Sequence, residues 1–406
     1  MLVTPTAGEA DDSPLFRPPM RRSSFFTRVI AIGVMLHVYV GLRIIPELPV
    51  GSSIKAAAAC ALLASCFLIP LSMIVRRFDH RPSFDRLAWI GLLDMGLFSS
   101  LLVFTLLRDI ALASALTIDA LWPGALSLAR WRVNSAVGVV ALAVLSTMIG
   151  FVNARRRAKV VTVDVPIAEL PPALDGLTIV QISDIHVGPT IKARYVDAIV
   201  DAVNRLDADL IAVTGDIVDG SVAQLADHTE PLGRLTARYG AYLVTGNHEY
   251  YSGAAQWIAE FERLGLRVLL NEHVVLERNG APFIIAGVTD YSAGQFDQAH
   301  RSDPAAALAD APRDIQLKVL LAHQPRTAPA AADAGYTLQL SGHTHGGQFF
   351  PWNFFVRLQQ PFTAGLAKLD SLWVYTSRGT GYWGPPKRLG APSEITRLRL
   401  LSGASM

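Results

Sequence analysis

The stretch Gly342-His343-Thr344-His345-Gly346-Gly347-Gln348 places two imidazoles one residue apart between glycines. Packing rarely needs such an arrangement, whereas glycines let a backbone turn sharply enough for both rings to address one point. Imidazole is also the commonest protein ligand for borderline metals. Upstream, three further polar clusters each close a short apolar run: Asp184-Ile185-His186, Gly215-Asp216-Ile217-Val218-Asp219 and Gly246-Asn247-His248-Glu249. A lone His323 closes the run Lys318 to Ala322 in the same way. Any one of these clusters alone would read as a turn. Five of them, each at the C-terminal end of a strand-like run, are what a binuclear metal site at the mouth of an α/β core requires. Mixed nitrogen and oxygen donors suit Mn, Fe or Zn better than Ca.

The elements that must position these residues are short and apolar. Strand patterns cover Leu177 to Ser183, Leu210 to Thr214 and Ala241 to Thr245. Between them Val196, Ile199, Val200, Val203 and Leu206 have the spacing of an amphipathic helix. Helical patterns follow over Val222 to Arg238 and Ala254 to Leu264. Later strands are predicted at Arg267 to Leu270, Phe283 to Val288, Val319 to Ala322, Leu338 to Leu340, Leu372 to Tyr375 and Ile395 to Leu400. Many strands with few late helices imply two packed sheets with helices outside, in one domain.

The ordered set Asp-x-His, Gly-Asp-x-x-Asp, Gly-Asn-His-Glu, lone His and Gly-His-Thr-His resembles the calcineurin-like metallophosphoesterases over the whole C-terminal part. The context of Gly346-Gly347-Gln348, Tyr375-Thr376-Ser377-Arg378-Gly379 and Ser393-Glu394-Ile395 is similar to the bacterial membrane-associated subgroup with the YkuE- and YaeI-like proteins. The resemblance implies a four-layer αββα sandwich and two divalent metal ions, manganese first and iron or zinc as alternatives. It implies that Asp184, His186 and His345 hold one metal, that Asn247, His323 and His343 hold the other, and that Asp216 bridges them. His248 would protonate the leaving oxygen or stabilise the transition state, and Asp219 would orient His248. Glu249 reads as a helix cap or support. Asp290, His300, Asp303, His273, His80 and His228 lie outside the motifs and read as surface or loop residues.

The chain as a whole is 51% apolar, too much for an ordinary soluble protein, and the excess lies in the first 155 residues. Four spans, Val29 to Ile45, Ala56 to Val75, Leu87 to Leu107 and Ser135 to Val152, approach the ~20 residues that cross a bilayer. The shorter Ile110 to Trp122, which holds Asp119, reads as an interfacial or loop helix. The chain thus divides into a disordered N-terminus (1–28), a transmembrane region (29–152), a basic linker (153–162) and the phosphoesterase domain (163–406). His37 and Asp94 are polar at membrane depth and read as interhelical partners.

Arg and Lys cluster before the first span, between the second and third (Arg76, Arg77, Arg81, Arg86) and after the fourth (Arg155, Arg156, Arg157, Lys159). The positive-inside bias then puts the catalytic domain on the cytoplasmic face of the inner membrane. Arg21-Arg22 also fits a twin-arginine signal, but no cleavage site follows and three more spans do. Residues 1–159 carry 17 Lys and Arg against 9 Asp and Glu, and residues 160–406 carry 19 against 25. An acidic catalytic part excludes a non-specific nucleic-acid binder, while basic loops beside apolar spans point to anionic lipid. Cys60 and Cys66 share one apolar run and read as packing residues.

Phe349-Phe350-Pro351-Trp352-Asn353-Phe354-Phe355 is unusually aromatic for a loop directly after a metal motif. It either closes a core or faces the bilayer. With Trp383, Lys387 and Arg388 nearby in sequence, the expected substrate is a phospholipid or nucleotide-lipid cleaved at a phosphodiester or pyrophosphate bond. The resemblance adds a specific alternative, the UDP-2,3-diacylglucosamine pyrophosphate hydrolase of lipid A synthesis. A membrane sensor or scaffold with a non-catalytic phosphoesterase fold is the alternative of another class.

Overall fold

A computed structural model describes residues 22–75 and 82–403. Four helices come first: α1 (Arg22–Ile44), α2 (Ser52–Val75), α3 (Pro82–Leu121) and α4 (Leu128–Arg155). Each contains a stretch long and apolar enough to cross a membrane, and large apolar side chains such as Leu42, Phe67, Ile110 and Met148 are exposed on them. Residues 1–21 of the expected disordered terminus, and Arg76, Arg77, His80 and Arg81 of the basic loop, lie outside the described residues; 22–28 are already helix.

Ile110 to Trp122 is not a separate interfacial helix. Nothing between Gly96 and Leu121 breaks α3, which runs 40 residues, about 60 Å at the usual rise. The charged pair at 108–109 is absorbed by neighbouring helices. Arg108 donates to Ser135 Oγ (2.9 Å) and to the carbonyls of Arg43 (3.0 Å) and Arg132 (3.1 Å), and Asp109 pairs with Arg43 at 2.8 Å. His37 stacks on Phe98 with ring centroids 3.6 Å apart and meets Ser65 Oγ at 3.1 Å.

The C-terminal domain is built on two six-stranded sheets. The first comprises β1 (Lys159–Ala168), β2 (Thr178–Ile182), β3 (Leu210–Thr214), β4 (Ala241–Val244), β5 (Arg267–Val268) and β12 (Glu394–Gly403), in the order β1-β12-β2-β3-β4-β5. The second comprises β6 (Glu272–Arg278), β7 (Ala281–Gly287), β8 (Lys318–Leu321), β9 (Leu338–Ser341), β10 (Gly365–Leu369) and β11 (Leu372–Thr376), in the order β10-β11-β9-β8-β7-β6. Helices α5 (Ala193–Asn204), α6 (Val222–Thr229), α7 (Asn247–Ser252) and α8 (Ala254–Arg263) follow strands of the first sheet; α9 (Ala328–Asp333) and the short α10 (Trp352–Phe355) belong to the second.

Strand alternation explains the layers. Ile179, Leu210 and Ala212 point between the sheets to meet Ile285, Val319, Leu321 and Leu340. Their neighbours Val180, Ile182, Ile211 and Val213 point outward beneath Trp257, Phe261 and Val200 of the helices. Ile284, Leu320 and Val374 do the same for the second sheet. The result is a helix–sheet–sheet–helix α/β sandwich. Three edge strands, β1, β6 and β10, escape the sequence reading; in β6 and β10 half-exposed residues break the apolar pattern, and β1 begins where the sequence reads as a linker. The expected linker at 153–162 is corrected accordingly: α4 runs to Arg155, and from Lys159 β1 pairs in parallel with β12, Lys159 opposite Glu394 to Ala168 opposite Gly403.

The domain is seated on α3 and α4. Lys387 is buried; its ammonium donates to Gly96 O (3.0 Å), Thr147 Oγ1 (3.1 Å) and Ser100 Oγ and lies over the Phe349 ring. Arg388 N donates to Gly150 O at 2.8 Å, and Asn153 Nδ2 donates to Arg388 O at 3.2 Å. Replacing Lys387 by Ala removes the ammonium and strands its buried acceptors, at about 1–3 kcal/mol for each group left unpaired. Amide hydrogen exchange in residues 378–391 is expected to rise at least about tenfold while β3 stays protected; equal protection in both proteins would mean that Lys387 does not hold the seat.

Candidate metal centre

All nine motif residues converge where both sheets present the C-terminal ends of their parallel strands. Asp184 and His186 follow β2, Asp216 and Asp219 follow β3, Asn247 and His248 follow β4, His323 follows β8, and His343 and His345 follow β9. The loops are zipped to one another: the amides of Asp184 and His186 donate to the carbonyls of Gly215 and Asp216 at 3.0 and 3.1 Å. Asp184, His186, Asp216, His343 and His345 all have φ between 51° and 70°, a conformation that non-glycine residues avoid and that concentrates at functional sites. Two glycines clear the space. A Cβ on Gly246 would run into the Asp216 carboxylate, and one on Gly342 into Ser183 and Asp184.

The ring nitrogens meet in pairs at hydrogen-bond distance. His186 Nε2 is 3.0 Å from His345 Nε2, and His343 Nδ1 is 3.2 Å from His323 Nε2. Asp216 Oδ2 lies 3.1 Å from His323 Nε2 and 3.9 Å from both His186 Nε2 and His248 Nε2. Asp184 Oδ1 is 3.5 Å from His345 Nε2. Three triads have ligand atoms close enough for one ion: Asp184, His186 and His345; His186, Asp216 and His248; and Asp216, His323 and His343. Asn247 Oδ1 is buried with no hydrogen-bond partner among the described residues. An orphaned amide oxygen beside converging imidazoles and carboxylates fits a cation, since leaving such a group unpaired is costly. The donor set therefore fits two divalent metals.

Supporting bonds aim the rings. Asp219 Oδ1 sits 2.6 Å from His248 Nδ1 and 3.0 Å from His186 Nδ1, so it orients two imidazoles where the sequence reading gave it one. Thr214 O is 2.7 Å from His323 Nδ1, leaving Nε2 toward the centre in the way that metal-binding histidines are held. The fully buried Glu249 accepts from the amides of Gly246 (2.7 Å), Ile217 (2.8 Å) and Asp216 (3.0 Å), tying the α7 N-terminus to the loop that carries Asp216. Amides also grip the carboxylates: His343 N donates to Asp184 and His248 N to Asp216, each at 2.9 Å.

Electrostatics split the group. Burial pushes the Asp184 carboxyl up, partly offset by His323. Burial would raise Asp216 as well, but the charges of His323 and His248 hold it well below the usual range. Burial opposes charging His248, yet Asp216 and Asp219 lift it to about 9, and Asp216 lifts His323 in the same sense. Burial and the cations nearby push His343 down to about 3 and His345 well below its ordinary value.

Several expectations change. Lys387 and Arg388 do not face a substrate. Lys387 enters the helices, while the buried Arg388 donates to His345 Nδ1 (3.0 Å) and to the carbonyls of Arg378 (2.7 Å) and Gly381 (3.0 Å). Asp290 is no surface residue. It is fully buried and accepts from Gln324 at 2.9 Å. His300 meets the Tyr250 hydroxyl at 2.8 Å and His273 meets Ala307 O at 3.0 Å. Of the aromatic loop only Phe349 is buried; Phe350, Trp352, Phe354 and Phe355 are exposed, and Trp352 Nε1 donates to Ser99 Oγ of α3 at 3.3 Å. Around His248 stand the rings of Tyr251 and Trp383, at 5.2 and 5.7 Å. Their separation along the chain hides this rim from sequence reading.

The family description "Calcineurin-like phosphoesterase" matches residues 177–347. A bovine transmembrane protein with metallophosphoesterase domain is 40% identical over 301 residues, covering 68% of this chain and 68% of its own length. A Campylobacter jejuni metallophosphoesterase is 34% identical, covering 66% of this chain and 70% of its own. YkuE of Bacillus subtilis is 31% identical, covering 57% and 82%. The chain belongs to the calcineurin-like metallophosphoesterases, and it is a membrane protein. Relatives in cattle as well as bacteria show that the wider likeness is not confined to a bacterial subgroup.

Burial favours the protonated form of Asp184, and the Asp216 charge, against burial, favours that of His323, whereas burial and nearby cations favour the neutral forms of His343 and His345, so a metal competes with protons at Asp184 and His323. Affinity for a divalent metal should therefore rise with pH. Calorimetric titration in buffers of different ionisation enthalpy is expected to show proton release on binding; no release would contradict this charge pattern.

Proposed function

We propose that this protein is a membrane-anchored, binuclear-metal phosphoesterase that hydrolyses a phosphodiester or pyrophosphate bond of a lipid-linked substrate, with its catalytic domain in the cytoplasm. The observation that carries the reading is the buried convergence of five His, Asp and Asn loops on the edge of a family-typical sandwich. Asp184, His186 and His345 would hold one metal and Asn247, His323 and His343 the other, with Asp216 shared between the two sets. Manganese heads the candidates, with iron and zinc next. Such a pair neutralises the phosphoryl oxygens and makes hydroxide available near neutral pH.

The chain's own groups complete the chemistry. His248 is partly exposed at the mouth of the site, where burial opposes and Asp219 favours its protonated form. Asp219 accepts from Nδ1 and leaves Nε2–H free to be donated to the leaving oxygen. Arg388 steadies His345 from behind. The exposed Phe350, Trp352, Phe354 and Phe355, leaning on α3, offer an apolar wall at bilayer level for an acyl chain. The UDP-2,3-diacylglucosamine pyrophosphate hydrolase of lipid A synthesis stays the specific alternative, and it rests on the family resemblance alone.

Replacing His248 by Ala is expected to lower turnover about 10²–10⁴-fold, the usual worth of a positioned proton donor. Asp216→Asn should lose both metal and activity. Membrane function that survives both changes would instead mark a sensor or scaffold. Replacing Trp352 and Phe354 by Ala should cut lipid hydrolysis at least about tenfold and spare a soluble aryl phosphodiester, in line with the apolar area withdrawn; equal losses on both would remove the acyl-wall assignment.

A further inference from the structure

Where the catalytic domain meets the ends of α3 and α4, the two parts enclose a second cavity of about 530 Å³. None of the candidate metal ligands lines it. Its walls are Trp89 of α3, Arg155 and Arg157 at the end of α4, and Lys192, Arg194 and Tyr195 at the start of α5. Four cations therefore face one concave space whose lining contains no carboxylate among the described residues. Lys192 pairs with Asp85 at 3.1 Å; neither Arg157 nor Arg194 has an ion-pair partner among the described residues.

Arg155 is already held in place. It donates to Thr190 O at 2.8 Å and to the Tyr382 hydroxyl at 3.1 Å, and its guanidinium carbon lies 5.3 Å from the Trp89 ring centroid and 5.8 Å from that of Tyr195. Helix α5 begins at this cavity with Lys192 as its N-cap and no side-chain cap bond, so its dipole adds to the positive potential. Concave positive charge that is only partly compensated, with Lys192 paired to Asp85, concentrates anions.

The surroundings identify the anion. Met148, Val152 and Arg155 recur at i, i+4 and i+7 and so share one face of α4. Met148 is 62% and Val152 47% exposed, and Ile90, next to Trp89, is 55% exposed. On a membrane-crossing helix that apolar strip is covered by acyl chains, and it ends at the cavity. Trp89 and the arginines are what anchors a chain at the headgroup level. We propose that this cavity binds the phosphate of an anionic glycerophospholipid whose acyl chains lie along Met148 and Val152. The floor segment Pro189-Thr190 follows His186 by only a few residues, so an occupied site steadies the loop that carries a candidate metal ligand.

The test uses the delipidated full chain in detergent, titrated with dioleoylphosphatidylglycerol and read by native mass spectrometry. Separate arms use dioleoylphosphatidylcholine and added inorganic phosphate. The wild-type chain is expected to retain phosphatidylglycerol at least about tenfold more tightly than phosphatidylcholine. In Arg157→Glu/Arg194→Glu that affinity should drop about tenfold or more, with phosphatidylcholine binding unchanged. Both residues are exposed, and an unaltered unfolding midpoint checks the fold; Arg157→Gln/Arg194→Gln gives the same reading should charge reversal lower it. Equal phosphatidylglycerol affinity in wild type and variants would overturn the site. Displacement of the lipid by millimolar phosphate would overturn the lipid and leave a free-phosphate site.

Discussion

Keeping the Asp216 carboxylate charged in a place water does not reach is the demand on which the rest of the catalytic domain depends. Burial alone would neutralise it. Three imidazoles, from loops after β2, β4 and β8, point at it, and the His248 amide donates to it. Glu249 then fastens the Asp216 amide to the next loop. The three imidazoles come from three strand ends, two in the first sheet and one in the second, so the carboxylate is satisfied only if both sheets stack with their C-terminal edges together. The left-handed conformations at five candidate ligand positions are the local strain that this convergence imposes.

The same arrangement explains why the site is prepared for cations. Imidazole nitrogens face each other in pairs, an amide oxygen is left without a partner, and the remaining nitrogens are tied down by Asp219, Thr214 and Arg388. A protein without metal must distribute protons unevenly over such a cluster, as the opposite shifts of His323 and His343 show. Two divalent ions would replace those protons and relieve the crowding at once.

Membrane helices and catalytic site are joined by adjacent residues with opposite orientations. Lys387 reaches into α3 and α4, while Arg388 reaches the back of His345. Neither cation has a carboxylate partner; their donors are satisfied by carbonyls, hydroxyls and a ring nitrogen. The seat therefore depends on exact placement of backbone oxygens at Gly96, Arg378 and Gly381, and Gly150 makes room for it, since a side chain there would strike Lys387. The exposed aromatic loop lies on the same side, bonded to Ser99.

Much of this was legible from residue types in order. The nine site residues, the apolar strands before them and the four apolar helices are local patterns, and local patterns survive without knowledge of the fold. What sequence could not reveal were relations between distant segments. The edge strands β6 and β10 have only a weak apolar pattern because one side of each meets solvent, and β1, apolar as it is, is set apart from a linker only by its pairing with β12. The length of α3 was hidden because Arg108 and Asp109 look like a helix end until Arg43 and Ser135 are brought beside them. Lys387 and Arg388 read as cations beside the substrate, and packing against α3, α4 and His345 buries them instead. The chain itself determined which candidate ligand types stand in which order; the direction in which charge is buried was decided by tertiary structure, because desolvation depends on what folds over a group and not on its neighbours in sequence.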